Sequence, residues 1–95
     1  MNSERIREEF EKLADKLGYT IRFEKGDFKG DACRIKEERV IIINKLLPLR
    51  HQNYAFSRIF ATEDLSSYSV LPIIRNMIEE VQASDENVIE GETSA

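Results

Sequence analysis

The sequence predicts an α+β domain: a three-stranded antiparallel β-meander with one helix before it and two after it, in the order α-β-β-β-α-α. Three observations carry this expectation. Apolar residues recur at helical spacing from Ile6 to Leu17, three short segments between Tyr19 and Asn44 are rich in alternating or β-branched residues, and two further helical stripes follow Pro48.

The first helix spans residues 4 to 17, with Ile6, Phe10, Leu13, Ala14 and Leu17 on one face and Arg5, Glu8, Glu9, Lys12 and Lys16 on the other. Ser3 is placed to cap it, because a hydroxyl there can accept from an unpaired N–H of the first turn. Gly18 ends it by adopting a left-handed conformation at low steric cost. A first strand, residues 19 to 25, sets Ile21 and Phe23 opposite Thr20, Arg22 and Glu24. The turn Gly26-Asp27-Phe28-Lys29-Gly30 leads to a second strand, 31 to 36, and Glu37-Glu38 reverse the chain into a third, 39 to 44. These connections are too short for parallel crossovers, which favours a meander. Pro48 suits the start of a helix over 49 to 62, since its missing N–H would be unpaired there anyway. A last helix runs from about Val70 to Gln82, with Ser69 as cap and Val70, Ile74, Met77, Ile78 and Val81 as its apolar stripe. Residues 1–82 thus form one domain. Residues 83–95, dominated by Asp, Glu, Ser, Thr and Gly, read as a disordered acidic tail.

Within this meander, Ile21, Phe23, Cys33, Ile35, Val40 and Ile42 form the core face. The other face then collects Thr20, Arg22, Glu24, Arg34, Lys36, Ile41 and Ile43, and two isoleucines among arginines on a wet surface are an anomaly. The third strand also lies at an edge, where unpaired backbone groups sit beside apolar surface. Leaving both isoleucines exposed forfeits on the order of 3 to 6 kcal/mol of burial.

Charge is unevenly spread. Four acids and no Lys or Arg fall in 83–95, which leaves the body with fourteen charges of each sign, yet residues 16 to 58 carry ten Lys and Arg against five Asp and Glu. That imbalance invites an acidic partner. No run approaches the roughly 20 apolar residues that span a bilayer, and the N-terminus opens a charged helix, so a cytoplasmic protein with no membrane partner is expected.

Little in the composition points to catalysis. One cysteine and one histidine leave few soft ligands for a transition metal, and no cofactor or metal is expected. Cys33 shares the expected core face with Ile35 and reads as a small buried hydrophobe. His51, in the first turn of a helix, reads as a surface or interface residue; Glu63 and Asp64, the nearest acids following it, are about three turns away along the helix. The Gly26 to Gly30 turn joins two strands and lacks the Gly-rich loop, Lys and Ser/Thr order of a phosphate cradle. Ser66, Ser67 and Ser69 have no histidine near them in sequence, and the acid pairs Glu37-Glu38, Glu63-Asp64 and Glu79-Glu80 diverge as neighbours.

The run Gly26-Asp27-Phe28-Lys29-Gly30-Asp31-Ala32-Cys33, with Val40-Ile41-Ile42-Ile43-Asn44-Lys45 and Leu47-Pro48, resembles a family of short bacterial conserved hypothetical proteins over roughly residues 17 to 80. The resemblance implies a bacterial cytosolic protein and no particular activity. The order of helix, hairpin, strand ending at an asparagine, and helix is also similar to the opening of the metallopeptidases that cleave phage-type repressors. Those enzymes carry His-Glu-x-x-His on that helix, whereas residues 56–62 here read Phe-Ser-Arg-Ile-Phe-Ala-Thr, so the likeness implies at most a scaffold.

The sequence therefore points to a non-enzymatic interaction module, self-associating as a homodimer or binding another protein through the third-strand edge or the Ile41/Ile43 face, with Arg22, Arg34, Lys36 and His51 nearby. The alternatives are a nucleic-acid module that uses the basic face of Arg22, Arg34 and Lys36, and a small enzyme or degenerate peptidase-like scaffold without metal.

Overall fold

The computed structural model describes residues 2–94, with burial and side-chain contacts through residue 84. Helix α1 is Ser3–Lys16, followed by strands β1 (Tyr19–Glu24), β2 (Gly30–Ile35) and β3 (Glu38–Asn44) and helices α2 (Leu49–Phe60) and α3 (Pro72–Ser94). The α+β class and the element order are those the periodicities indicate. Asn2, one residue earlier than expected, caps α1: its Oδ1 accepts from the Arg5 amide at 2.9 Å, while Ser3 is already helical. Gly18 ends this region at φ +82°. Pro72 occupies the first helical position of α3, two residues after the expected start. That helix continues beyond Gln82 to Ser94. The expected tail over 83–95 falls, from residue 85 onward, on side chains outside the described residues.

The sheet is not a meander. Its strand order is β1-β3-β2, with β3 parallel to β1 and antiparallel to β2. No direct crossover is needed for the parallel pair: the chain leaves β1, crosses the end of the position that β3 will fill, forms β2, and returns through a two-residue turn. Asn44 shapes that crossing. Its side-chain amide donates to the carbonyls of Gly26 (2.8 Å) and Phe28 (2.7 Å), while the Asn44 amide bonds Lys29 O and the Lys45 amide bonds Glu24 O, both at 3.0 Å. One buried asparagine thus ties the β1–β2 connection to the end of β3. At the other end Lys36, φ 58°, supplies the left-handed residue that a tight hairpin requires.

This order corrects the assignment of faces. Ile21 pairs with Ile41 and Phe23 with Ile43, and on the other flank Ala32 meets Ile41 and Gly30 meets Ile43. Ile41 and Ile43 are fully buried, 0% exposed, and belong to the core cluster with Phe10, Leu13, Phe56, Phe60 and Ile74. They form no open interaction face, and β3, paired on both sides, has no free edge for self-association. The opposite face carries Thr20, Arg22, Val40, Ile42, Asp31, Cys33 and Ile35, and there Cys33 is exposed rather than buried, with Ile35 at 41%. Val40 is buried on this outer face as well, which is why β3 reads as a continuous apolar run.

The helices lie on one side of the sheet, α1 against β1 and α2 against β2, with α3 packed on α1 and α2. Phe10, Phe56 and Phe60 interleave at the α1–α2 seam, with ring centroids 5.6 Å (Phe10–Phe56) and 6.2 Å (Phe56–Phe60) apart. Gly30 lets α2 approach: a Cβ there would stand 2.8 Å from Ile43 Cδ1 and 3.1 Å from Ala55 Cβ. Small residues on β2, rather than large apolar ones, mark its helix-facing side.

Candidate functional site

The free edge of β2 follows from the ladder. Because the Asn44 amide bonds Lys29 O in the antiparallel register, the odd-numbered residues of β2 bond to β3 and the even-numbered ones, Gly30, Ala32 and Arg34, direct N–H and C=O outward. One outward donor is occupied locally, since Asp31 Oδ1 accepts from the Ala32 amide at 2.8 Å. A self-capping carboxylate of this kind guards an edge without closing it.

Above this edge stands α2. His51, Tyr54, Arg58 and Thr62 recur at helical spacing along one side of it and past its end, all solvent-exposed, while Ala55 and Ile59 beside them reach the core. Three clefts lie in series between this stripe and β2. The first, about 270 Å³, is bounded by Lys29, Gly30, Leu47, His51, Tyr54, Ala55 and Arg58. The second, about 490 Å³, runs along Gly30, Asp31 and Ala32 beneath Arg58, Ile59 and Thr62. The third, about 290 Å³, joins Ala32, Cys33 and Arg34 to Arg39, Thr62, Glu63 and Tyr19. Shared residues link each cleft to the next, so the three make one open groove parallel to β2.

The far end of the groove is fixed by a polar knot. Arg39 donates to Leu17 O (2.7 Å), to the Tyr19 hydroxyl (3.0 Å) and to Glu63 Oε1 (2.8 Å), and the Tyr19 hydroxyl itself donates to Glu63. The Leu17 bond satisfies a carbonyl left open where α1 ends. Burial, reinforced by the Glu63 carboxylate that accepts its hydroxyl, raises the Tyr19 phenol above its ordinary 10.0, with the Arg39 guanidinium pulling the other way. The hydrogen bond to Tyr19 likewise holds Arg39 above its ordinary value. Just outside the knot, the hydroxyl and backbone amide of Ser66 lower the pKa of Asp64.

Arg34 lies directly opposite Arg39 on the helix-facing side. Arg39 is engaged by Glu63, whereas among the described residues Arg34, Arg58 and Lys29 enter no ion pair. The groove is therefore flanked by cations that have no ion-pair partner among the described residues.

Of the residues singled out in the sequence, His51 lines one end of this groove and Cys33, Arg34 and Glu63 line the other. Arg22 lies on the outer face, where it pairs with Glu24 at 2.9 Å, and Lys36 sits in the β2–β3 turn. The supposed basic face of Arg22, Arg34 and Lys36 is thus divided, since Arg22 and Arg34 project from opposite sides of the sheet. His51 lies in the first turn of α2 and Glu63 three residues past its last residue, so the two stand at opposite ends of that helix. Among the described residues, no three of His, Cys, Asp and Glu converge as a metal site would require, and no helix is long and apolar enough to cross a membrane.

Gly30, Ala32, Tyr54, Arg58 and Thr62 were not expected at a site. The signal for them was present: a stripe of polar and aromatic residues on α2 opposite its phenylalanines, and two small residues alternating along β2. Compared with family models, with curated proteins and with solved structures, the chain matches none.

Proposed function

We propose that this chain is a non-enzymatic protein-interaction module that accepts an extended segment of a partner as a fourth strand along β2. The observation that carries the reading is the outward set of backbone groups at Gly30, Ala32 and Arg34 facing a continuous groove under α2. Strand addition draws affinity from main-chain hydrogen bonds and selectivity from side-chain pockets spaced two residues apart, and both components are available along this edge. Asp31 would swing away from the Ala32 amide as the incoming carbonyl replaces it.

Selection of displayed random octapeptides against the protein tests the reading, with Ala32→Pro as the control. The Ala32 N–H points away from β3, so proline there removes an outward donor without taking a bond from the ladder. Enriched peptides are expected to bind wild type and to lose roughly tenfold or more in affinity on Ala32→Pro, while circular dichroism shows an intact fold. No enrichment, or binding indifferent to the proline, rejects the proposal.

A further inference from the structure

Resting on the strand-addition reading, we infer that the partner segment is acidic and alternating: an apolar residue, then two carboxylates at successive second positions, all three facing α2. The groove sets this pattern through three positions about 6.8 Å apart, the two-residue repeat of a strand. Opposite Gly30, the first cleft offers the side chains of Leu47, Tyr54 and Ala55 over a residue with no side chain of its own. Its 270 Å³ has room for one aliphatic or aromatic side chain. Tyr54, 47% exposed, would become covered.

Opposite Ala32, the incoming side chain meets Arg58, an exposed guanidinium with no ion-pair partner among the described residues. Opposite Arg34 the demand for an acid is greater. Arg34 and Arg39 are directly paired across the ladder with both side chains on one face, an arrangement of like charges that costs stability. Glu63 neutralises only Arg39, at 2.8 Å. A carboxylate entering the third cleft would give Arg34 a counter-charge that none of the described residues supplies. Arg58 and Arg34 stand on the groove's wall and floor two strand positions apart, so a segment with acids at both pairs two cations that the described residues leave without a counter-charge. A second copy of this chain meets the groove poorly through its own β2, because pairing two such edges would bring Lys29, Arg34 and Arg58 of each copy together.

Two blocked heptapeptides test the inference, one with valine, glutamate and glutamate at alternate positions separated by threonine, the other with both glutamates replaced by lysine. The acidic peptide is expected to shift the amide resonances of Gly30, Ala32 and Arg34 and to weaken as salt is raised. The lysine peptide is expected to bind about tenfold or more weakly, and Arg58→Glu, a surface change, should narrow or reverse that preference. Equal binding of the two peptides at low salt, or a preference that survives Arg58→Glu unchanged, overturns the acidic assignment while leaving strand addition standing. If neither peptide moves those amides, the reading beneath it falls as well.

Discussion

The two edges of this sheet are built differently. On β1 the helix-facing side carries Tyr19, Ile21 and Phe23, large side chains over which α1 is laid, and the Arg7 guanidinium carbon sits 4.2 Å from the Phe23 ring centroid. Its outer face bears the Arg22–Glu24 pair. On β2 the equivalent side carries Gly30, Ala32 and Arg34, and α2 overhangs the edge with exposed Tyr54 and Arg58. Bulk and charge protect one edge, as expected of sheets that avoid association. The other carries small residues at Gly30 and Ala32, and its outward Ala32 amide is covered by the Asp31 carboxylate alone. An edge kept this bare is one that other backbone can approach.

The largest effect should come from the strand between them, on which the comparison depends. Ile41→Lys places an unpaired ammonium at a site with 0% exposure and is expected to cost about 4 to 5 kcal/mol or more, enough to unfold much of the population. Ile35→Lys, on the outer face of β2, should stay within about 0.5 kcal/mol. Urea denaturation of both variants decides it. Similar midpoints would mean that the faces are assigned wrongly, and with them which edge is open.

Gly30→Val sharpens the contrast between edges. Its Cβ meets Ile43 Cδ1 at 2.8 Å, Ala55 Cβ at 3.1 Å and Ile42 O at 3.2 Å, so α2 must lift or side chains must leave their rotamers, at about 1 to 3 kcal/mol. A change on the outer face of β1, Thr20→Val at an exposed position, should fall within about 0.5 kcal/mol. Thermal unfolding measures both, and a Gly30→Val protein as stable as wild type would show that α2 does not press on this edge.

Much of the fold was legible because local signals set it: the stripe of α1, the glycine at φ +82°, and Pro48 at the start of α2 each act within a few residues. Strand order was not, because it depends on a hydrogen bond network between Asn44 and a loop some sixteen residues earlier. The faces were misread for a related reason. Cys33 and Ile35 are the more apolar set on β2, yet Gly30 and Ala32 face the core, where a helix backbone comes close enough to exclude larger side chains. Of the candidate site, Arg34 and His51 were visible as single residues. The groove joining them was invisible without knowing that β3 is central and β2 is not.

The smallest expected effect concerns the end of the sheet where Arg39 of β3 lies between the two edges, and it separates them by pH. Tyr19 opens β1 and is held by Glu63 and Arg39, whereas Arg34 near the end of β2 has no such fastening among the described residues. Tyr19→Phe removes that hydroxyl and should cost about 0.5 to 1.5 kcal/mol near neutral pH. The folded phenol titrates above 10.0, the value expected when unfolded, so in that interval the folded chain keeps a proton that the unfolded chain has lost. Stability from this residue is therefore fully present below about pH 10 and declines as pH rises through the folded value. The gap between wild type and Tyr19→Phe, followed by urea denaturation from pH 8 to about pH 11, should narrow only at the alkaline end. A constant gap would mean that the phenol is not held as the knot requires, and that β1 is no better fastened at this end than β2.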